Sequence, residues 1–201
     1  ARVYWQVTRG PRPTAEGPGF PRSHIIDPAM APTVYLAAEP VEPLLPDTPL
    51  PTTTATTAND ERWANCWIKS LMLLPNTLAK TKAHAQSAGE AIFVRDGEVT
   101  EGSSTNVFVV IDGALHTHPA NGRILEGITR NVVIELAKGL EIPVKEQAVA
   151  ATDLASVDEC FITGTGTLLA SVMKVDEKPA GNGNAYPIAK RLWEAFKQRV
   201  L

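Results

Sequence analysis

Lys69 stands between Trp67-Ile68 and Leu71-Met72-Leu73-Leu74, an amine in otherwise apolar company. Removing a lysine from water disfavours its charged form, and the neutral amine is a nucleophile for carbonyl compounds that can hold an aldehyde cofactor as a Schiff base. The expectation is a buried, desolvated Lys69. The ordinary alternative is a lysine at a helix start, its stem laid along apolar surface and its ammonium in water. Glu101 offers complementary chemistry, because a carboxylate beside small donors can stay ionised and pair with a pyridinium nitrogen. Its alternative is a solvated strand-end glutamate. Three clusters of Gly, Ser and Thr, at 101–105, 127–129 and 163–167, suit an anion. A phosphate needs backbone N–H groups that it can approach without side-chain obstruction, plus hydroxyl donors, and a helix N-terminus adds a favourable dipole. Taken singly, each cluster is also the composition of an ordinary turn or cap.

The elements that must position these groups follow from periodicity and turn signals. The chain opens on Ala1, and VYWQVT at 3–8 reads at once as a strand, so the sequence is expected to begin mid-domain. Six prolines between Pro11 and Pro32 exclude a helix there. Residues 34–36 form a short strand. The proline-stiffened stretch 40–51 is the expected linker between the remainder of a small α+β domain at 1–39 and a large domain at 52–201. A threonine-rich β segment leads from Thr52 to Trp63 and Trp67. Pro75 opens a helix over 76–87 with Leu78, Ala79 and Ala83 on one face, placing Lys69 at a strand-to-helix junction. Asp96-Gly97 and Asp112-Gly113, each between apolar runs, signal an antiparallel meander. An amphipathic helix over 127–138, strands at 142–145, 160–163 and 170–173, and a last helix over 186–200 complete an α+β chain.

Composition narrows the function classes. A 201-residue chain with 44% hydrophobic and 20% charged residues can bury a substantial core. Its formal charge of −3 offers no global positive field for nucleic acid or an anionic membrane, so an anion must be held locally. The longest apolar runs are far shorter than a bilayer span. Cys66 and Cys160 lack metal spacing and predict two buried thiols in a reduced, cytoplasmic protein. His84 reads as a surface residue, and His116 and His118 lack a third ligand, so no metal site is expected. Serine-hydrolase, P-loop and zincin motifs are absent from the sequence.

Four segments together resemble the fold-type IV (class IV) pyridoxal-phosphate enzymes, nearest to their D-amino acid aminotransferase group: IKSLMLLPNTLAK at 68–80, VTEGSSTNVF at 99–108, THPA at 117–120 and ILEGITR at 124–130. The resemblance implies a two-domain architecture with antiparallel-rich sheets and an N-terminally incomplete small domain. It implies pyridoxal 5'-phosphate (PLP) as cofactor, an amino donor and a 2-oxo acid as substrates, and a homodimer without nucleic-acid or membrane partners. By position, Lys69 becomes the Schiff-base lysine and proton shuttle, Glu101 the partner of the pyridine nitrogen, and Leu125 a contact of the ring. Gly127, Ile128, Thr129 and Thr165 match the phosphate cup, Ser103 and Ser104 lie in the adjacent cofactor loop, and Arg62 organises the site behind the cofactor.

Two departures accompany the resemblance. The family's upstream phosphate-binding arginine has no counterpart in this chain. The arginine and histidine that bind the substrate carboxylate in the D-amino acid group align with Thr14 and Glu16, with Arg9 and Arg12 as substitutes and Thr165-Gly166 opposite. The expected activity is transamination of a D-amino acid. Branched-chain L-amino acid or (R)-amine transamination, an aminodeoxychorismate-lyase-like elimination, and a non-catalytic remnant are the alternatives.

Overall fold

The computed structural model describes residues 1–10, 28, 30–181 and 186–201. These divide into two compact units, Ala1–Leu44 and Leu45–Leu201. In the smaller unit, β1 (Arg2–Thr8) and β2 (Thr33–Glu39) pair antiparallel from Arg2↔Glu39 to Thr8↔Thr33. The division falls inside the proline-rich stretch, whose second half is fastened to the larger unit: Pro51 O accepts from Ser171 N at 2.8 Å.

The larger unit opens with β3 (Thr52–Asn59), followed by an irregular segment and α1 (Leu74–Ala85), which starts on Pro75. Two hairpins come next. β4 (Glu90–Arg95) turns at Asp96-Gly97 into β5 (Glu98–Gly102), and β6 (Asn106–Ile111) turns at Asp112-Gly113 into β7 (Ala114–Thr117). Both turn residues have positive φ in each case, 54° and 81° in the first and 50° and 75° in the second. Two-residue turns of that kind match the right-handed twist of the strands, and Asp-Gly tolerates them. Then come α2 (Ile128–Gly139), β8 (Val144–Glu146), β9 (Glu159–Gly164), β10 (Leu168–Val175), β11 (Lys178–Pro179) and α3 (Pro187–Val200).

The strands form one sheet in the order β5-β4-β3-β10-β9-β6-β7-β8, with β11 on β10. The expected meander is corrected here, because the sheet is mixed: β3 lies parallel to both β4 and β10, and β7 parallel to β8. A parallel neighbour arrives from a remote part of the chain and leaves no local turn signature. Both sheet faces are buried in the middle. Val107 and Val109 on one face and Phe108 and Val110 on the other are all at most 3% exposed, which explains their continuous apolar run. Phe108 stacks on Phe161 at 5.0 Å across β6 and β9. α1 packs on β3 and β4, and α2 and α3 pack on each other and on β9.

Helix α3 illustrates how buried polar groups fix the frame. Its first turn carries no side-chain cap of its own. The Glu159 carboxylate, 2% exposed on β9, accepts from the N–H groups of Ile188 and Ala189, both at 2.8 Å. A carboxylate there satisfies orphan donors and meets the positive end of the helix dipole. The other end binds the proline stretch: Trp193 Nε1 donates to Thr48 O at 2.9 Å, and Lys197 Nζ to Pro46 O and Thr48 O at 2.6 and 3.1 Å. No described helix is long and apolar enough to cross a membrane.

Candidate active site

The polar centre of the larger unit is built at the open end of the β4–β5 hairpin. Asp60, just beyond β3, is pinned along β4 by its N–H to Val94 O at 2.9 Å. Its carboxylate grips Arg62 at two points, Nε to Oδ1 at 2.8 Å and Nη2 to Oδ2 at 2.9 Å. Arg95 Nη2 and Thr100 Oγ1 also reach Asp60, each at 3.0 Å. The guanidinium of Arg62 lies 4.5 Å from the centre of the Phe93 ring. Nη2 also reaches Thr100 Oγ1 at 3.5 Å and Arg123 O at 3.4 Å, and Nη1 donates to Glu101 Oε1 in a short contact.

Glu101, at 5% exposure, also accepts from Asn106 Nδ2 at 3.0 Å and from Leu125 N, shared between its oxygens at 3.1 and 3.0 Å. Each oxygen thus receives two contacts, from Arg62 and Leu125 on Oε1 and from Asn106 and Leu125 on Oε2, which accounts for the roughly four acceptor sites of an ionised carboxylate. Burial pushes the Glu101 carboxyl up to about 7, opposed by the charge and hydrogen bond of Arg62 and the N–H of Leu125 and assisted by Asp60. Burial also raises Asp60, but the hydrogen bonds and charge of Arg62, with the charge of Arg95, hold it below the usual carboxylate range. Arg62 is raised above its ordinary value by Asp60 and Glu101 despite its burial.

The same network shapes the helix that follows. Asn106 Nδ2 also donates to Leu125 O at 2.8 Å. A Cβ on Gly127 would stand 2.2 Å from Asn106 Oδ1, so only glycine fits at the start of α2. Gly127 has extended geometry (φ −70°, ψ 140°) and no side chain caps the helix, which leaves the N–H groups of Ile128 and Thr129 in its first turn uncapped by side chains. Ile128 is 77% exposed and Leu125 half-buried. Thr165 and Gly166 are exposed at the β9–β10 turn, and the adjacent Gly164 approaches Ser104 O and Thr105 of the loop after Glu101.

Lys69 requires a correction. It is exposed, as are Trp67 (61%), Leu71 (60%), Met72 (60%) and Leu74 (70%), so its apolar neighbours in sequence do not desolvate it. It also precedes α1 by a short irregular stretch rather than opening it directly. Its segment is anchored at both ends. Cys66 N donates to Gly122 O at 3.0 Å, and Asn76 Nδ2 of α1 donates to Ser103 O at 2.8 Å. The segment that carries Lys69 therefore runs from the loop before Leu125 to the loop after Glu101.

Ser103 and Ser104 part company. Ser103 is buried and fully committed, its N–H to Ala91 O, its carbonyl to Asn76 and its hydroxyl to Glu90. Ser104 is exposed. Glu90 has no place in the sequence reading. It is 1% exposed and accepts from Lys80 Nζ at 3.1 Å, Ala91 N at 2.8 Å and Thr105 Oγ1 at 2.9 Å as well as from Ser103, fixing the loop after Glu101 to α1. Asp60, Arg95, Thr100 and Asn106 were likewise missed. The only local signals were the spacing of Asp60 and Arg62 and the position of Asn106 beside Thr105. Arg9 follows β1 in the smaller unit, and Arg12, Thr14 and Glu16 lie outside the described residues. Among the described residues no cluster of three or more His, Cys, Asp or Glu could hold a metal.

The larger unit thus carries a buried acid held by three donors, a helix start without a side-chain cap and a lysine on a segment tethered at both ends. The family described as amino-transferase class IV matches residues 1–175. The chain belongs to the class IV aminotransferases. It is 42% identical over 199 residues to a D-alanine aminotransferase of Listeria monocytogenes, covering 98% of this chain and 66% of that protein. It is 38% identical over 200 residues to the D-alanine aminotransferase of Bacillus licheniformis, covering 99% and 67%. The chain thus spans about two thirds of the length of these curated relatives, just under it for the first. Among solved class IV structures, the branched-chain amino acid aminotransferase of Thermobaculum terrenum in its PLP form superposes with a TM-score of 0.80 at 25% identity, over 98% of this chain and 64% of the other. The Escherichia coli branched-chain enzyme gives 0.73 at 29% identity, over 87% and 60%. The fold is that of the fold-type IV aminotransferases.

Proposed function

We propose that this class IV aminotransferase chain binds PLP and transfers an amino group between a D-amino acid and a 2-oxo acid. The observation that carries the reading is the Glu101 carboxylate, buried and held by three donors at the polar centre of the larger unit. When bound, PLP supplies an electron sink for the carbanion formed at the substrate Cα. Glu101 would accept a hydrogen bond from the ring nitrogen. The N–H groups of Ile128 and Thr129 and the hydroxyl of Thr165 would receive the phosphate, with Gly127 keeping the helix start clear of a side chain. Leu125 would contact the ring, and Ser104 would offer its hydroxyl at the cofactor loop. Lys69 Nζ would hold the cofactor and carry the Cα proton, acting as general base and general acid in turn.

Arg9 or Arg12 is assigned to the substrate carboxylate, which Glu16 in the same segment would repel. Thr14, Thr165 and Gly166 are the further substrate contacts. The exposed apolar side chains around Lys69, from Trp67 to Leu78, together with Ile128, support a homodimer in which a second subunit covers this surface. Two free, buried cysteines support a cytoplasmic setting.

The likeness to branched-chain enzymes favours a second reading, L-branched-chain transamination, through the same cofactor residues. Incubation with 2-oxoglutarate and either D-alanine or L-valine separates the two by the glutamate formed. The proposal predicts glutamate from D-alanine. Glutamate from L-valine alone would establish the second reading, and none from either donor would contradict both.

A further inference from the structure

The Asp60 side chain is fully buried, and its carboxylate engages Nε and Nη2 of the Arg62 guanidinium, with Nη2 also reaching Thr100 Oγ1 at 3.5 Å and Arg123 O at 3.4 Å. That leaves Nη1, which donates to Glu101 Oε1. A free arginine meets a carboxylate in the two-pronged fashion, filling two acceptor sites at once. A two-pronged Arg62 would add a second arm at Oε2, where Asn106 and Leu125 already bond. We propose that Asp60 is a positioning residue for Glu101: by holding Nε and Nη2 of Arg62 it restricts the arginine to a single bond, at Oε1, and keeps Oε2 clear of the guanidinium. The proposal rests on reading Glu101 as the partner of the cofactor's ring nitrogen, and it deepens that reading by naming what limits the arginine's hold on the acid.

Charge supports the geometry. Asp60, Arg62, Arg95 and Glu101 form a buried set whose formal charges cancel, two acids against two arginines. Arg62 and Asp60 come from the segment after β3, Arg95 from β4, and the uncharged donors Asn106 and Leu125 from β6 and the loop before α2. Cys66 is the other titratable group influenced by this set. Arg62 draws Glu101 toward its ionised form and Asp60 opposes it. Neutralising Asp60 therefore strengthens the hold of Arg62 on Glu101, whereas removing Arg95 frees Asp60 to hold Arg62 more fully.

The test is the titration of Glu101 in the cofactor-free 201-residue chain, followed by carbon-13 NMR of labelled glutamate carboxyls and assigned with Glu101→Gln. Asp60→Asn should lower the midpoint by about one pH unit or more. Arg95→Met should raise it, and provides a folded comparison if Asp60→Asn unfolds. Adding Arg62→Met to Asp60→Asn should remove most of the effect of Asp60→Asn, because Asp60 acts through the arginine. An unchanged midpoint in a folded Asp60→Asn, an additive double variant, or a midpoint that does not rise in Arg95→Met would overturn the proposal. The readout needs no cofactor. Failure of the wild-type chain to take up PLP would contradict the proposed function while the titration still decides the role of Asp60.

Discussion

The acid and the amine of the candidate site are supported in opposite ways. Around Glu101 the chain supplies everything: a strand end to carry the carboxylate, a guanidinium held from behind, a side-chain amide, a backbone N–H and an aromatic ring beneath the arginine. Around Lys69 it supplies tethers at residues 66 and 76 and leaves most of what lies between them exposed. Preorganising charged groups requires them to be desolvated and matched at the same time, which only a folded interior can do. In the role proposed for it, a lysine that engages an incoming carbonyl has no such need until its partner arrives. The surroundings of the acid are thus made by folding, and under the proposed function those of the amine are completed by binding.

The contrast can be broken first at the lysine. Lys69→Ala should lower transamination by about 10³-fold or more, since it removes the group proposed to move the proton. Stability should stay within about 0.5 kcal/mol of wild type, as for exposed residues in general. A loss of several kcal/mol in denaturant would mean that the segment is packed after all. The converse experiment is Asp60→Ala, which strands two buried arginines and should cost about 3–5 kcal/mol in a urea melt. A cost near zero would show that the buried network does not hold the frame.

The pH dependence of stability sharpens the contrast further. The folded-state pKa of Glu101 is raised to about 7 from an ordinary 4.5. Its contribution is therefore fully present below about 4.5 and is lost as pH rises through 7, on the order of 2–3 kcal/mol in the cofactor-free chain. Asp60, held low, acts on the other side, contributing above the ordinary carboxylate range and losing that contribution as pH falls through its depressed value. Glu101→Gln should flatten the neutral limb and leave the acid limb in place, as read by urea midpoints between pH 5 and 8. The smallest effect is expected from Trp67→Ser, at most about 0.5 kcal/mol on the stability of the isolated subunit. Its weight should fall instead on assembly, measured as a raised dimer dissociation constant in analytical ultracentrifugation.

These two regions also mark what a sequence can show. The hairpins around Asp96-Gly97 and Asp112-Gly113 and the α2 and α3 helices were legible because their causes are local: turn residues that accept positive φ, and apolar spacing that repeats every three or four residues. The insertion of β3 between β4 and β10 was not, since parallel pairing joins residues 52–59 to residues more than a hundred positions away at β10. Glu101 was legible from its company of small residues, whereas Glu90 and Asp60 depend on partners that only the fold brings together. Leu78 and the residues around Lys69 failed in the opposite sense. Apolar composition predicted burial, but what covers an apolar segment is decided by neighbours in space, and Leu78 is 61% exposed.

The claim that most needs testing is that Lys69 and Glu101 frame one PLP site. The direct measurement is to incubate the chain with PLP, reduce with borohydride and map the modified peptide by mass spectrometry, in wild type and in Glu101→Gln. A single phosphopyridoxyl group on Lys69 is expected in both proteins, with a weaker visible band for the protonated cofactor in Glu101→Gln before reduction. Modification of a different lysine, or a visible spectrum identical in the two proteins, would contradict it.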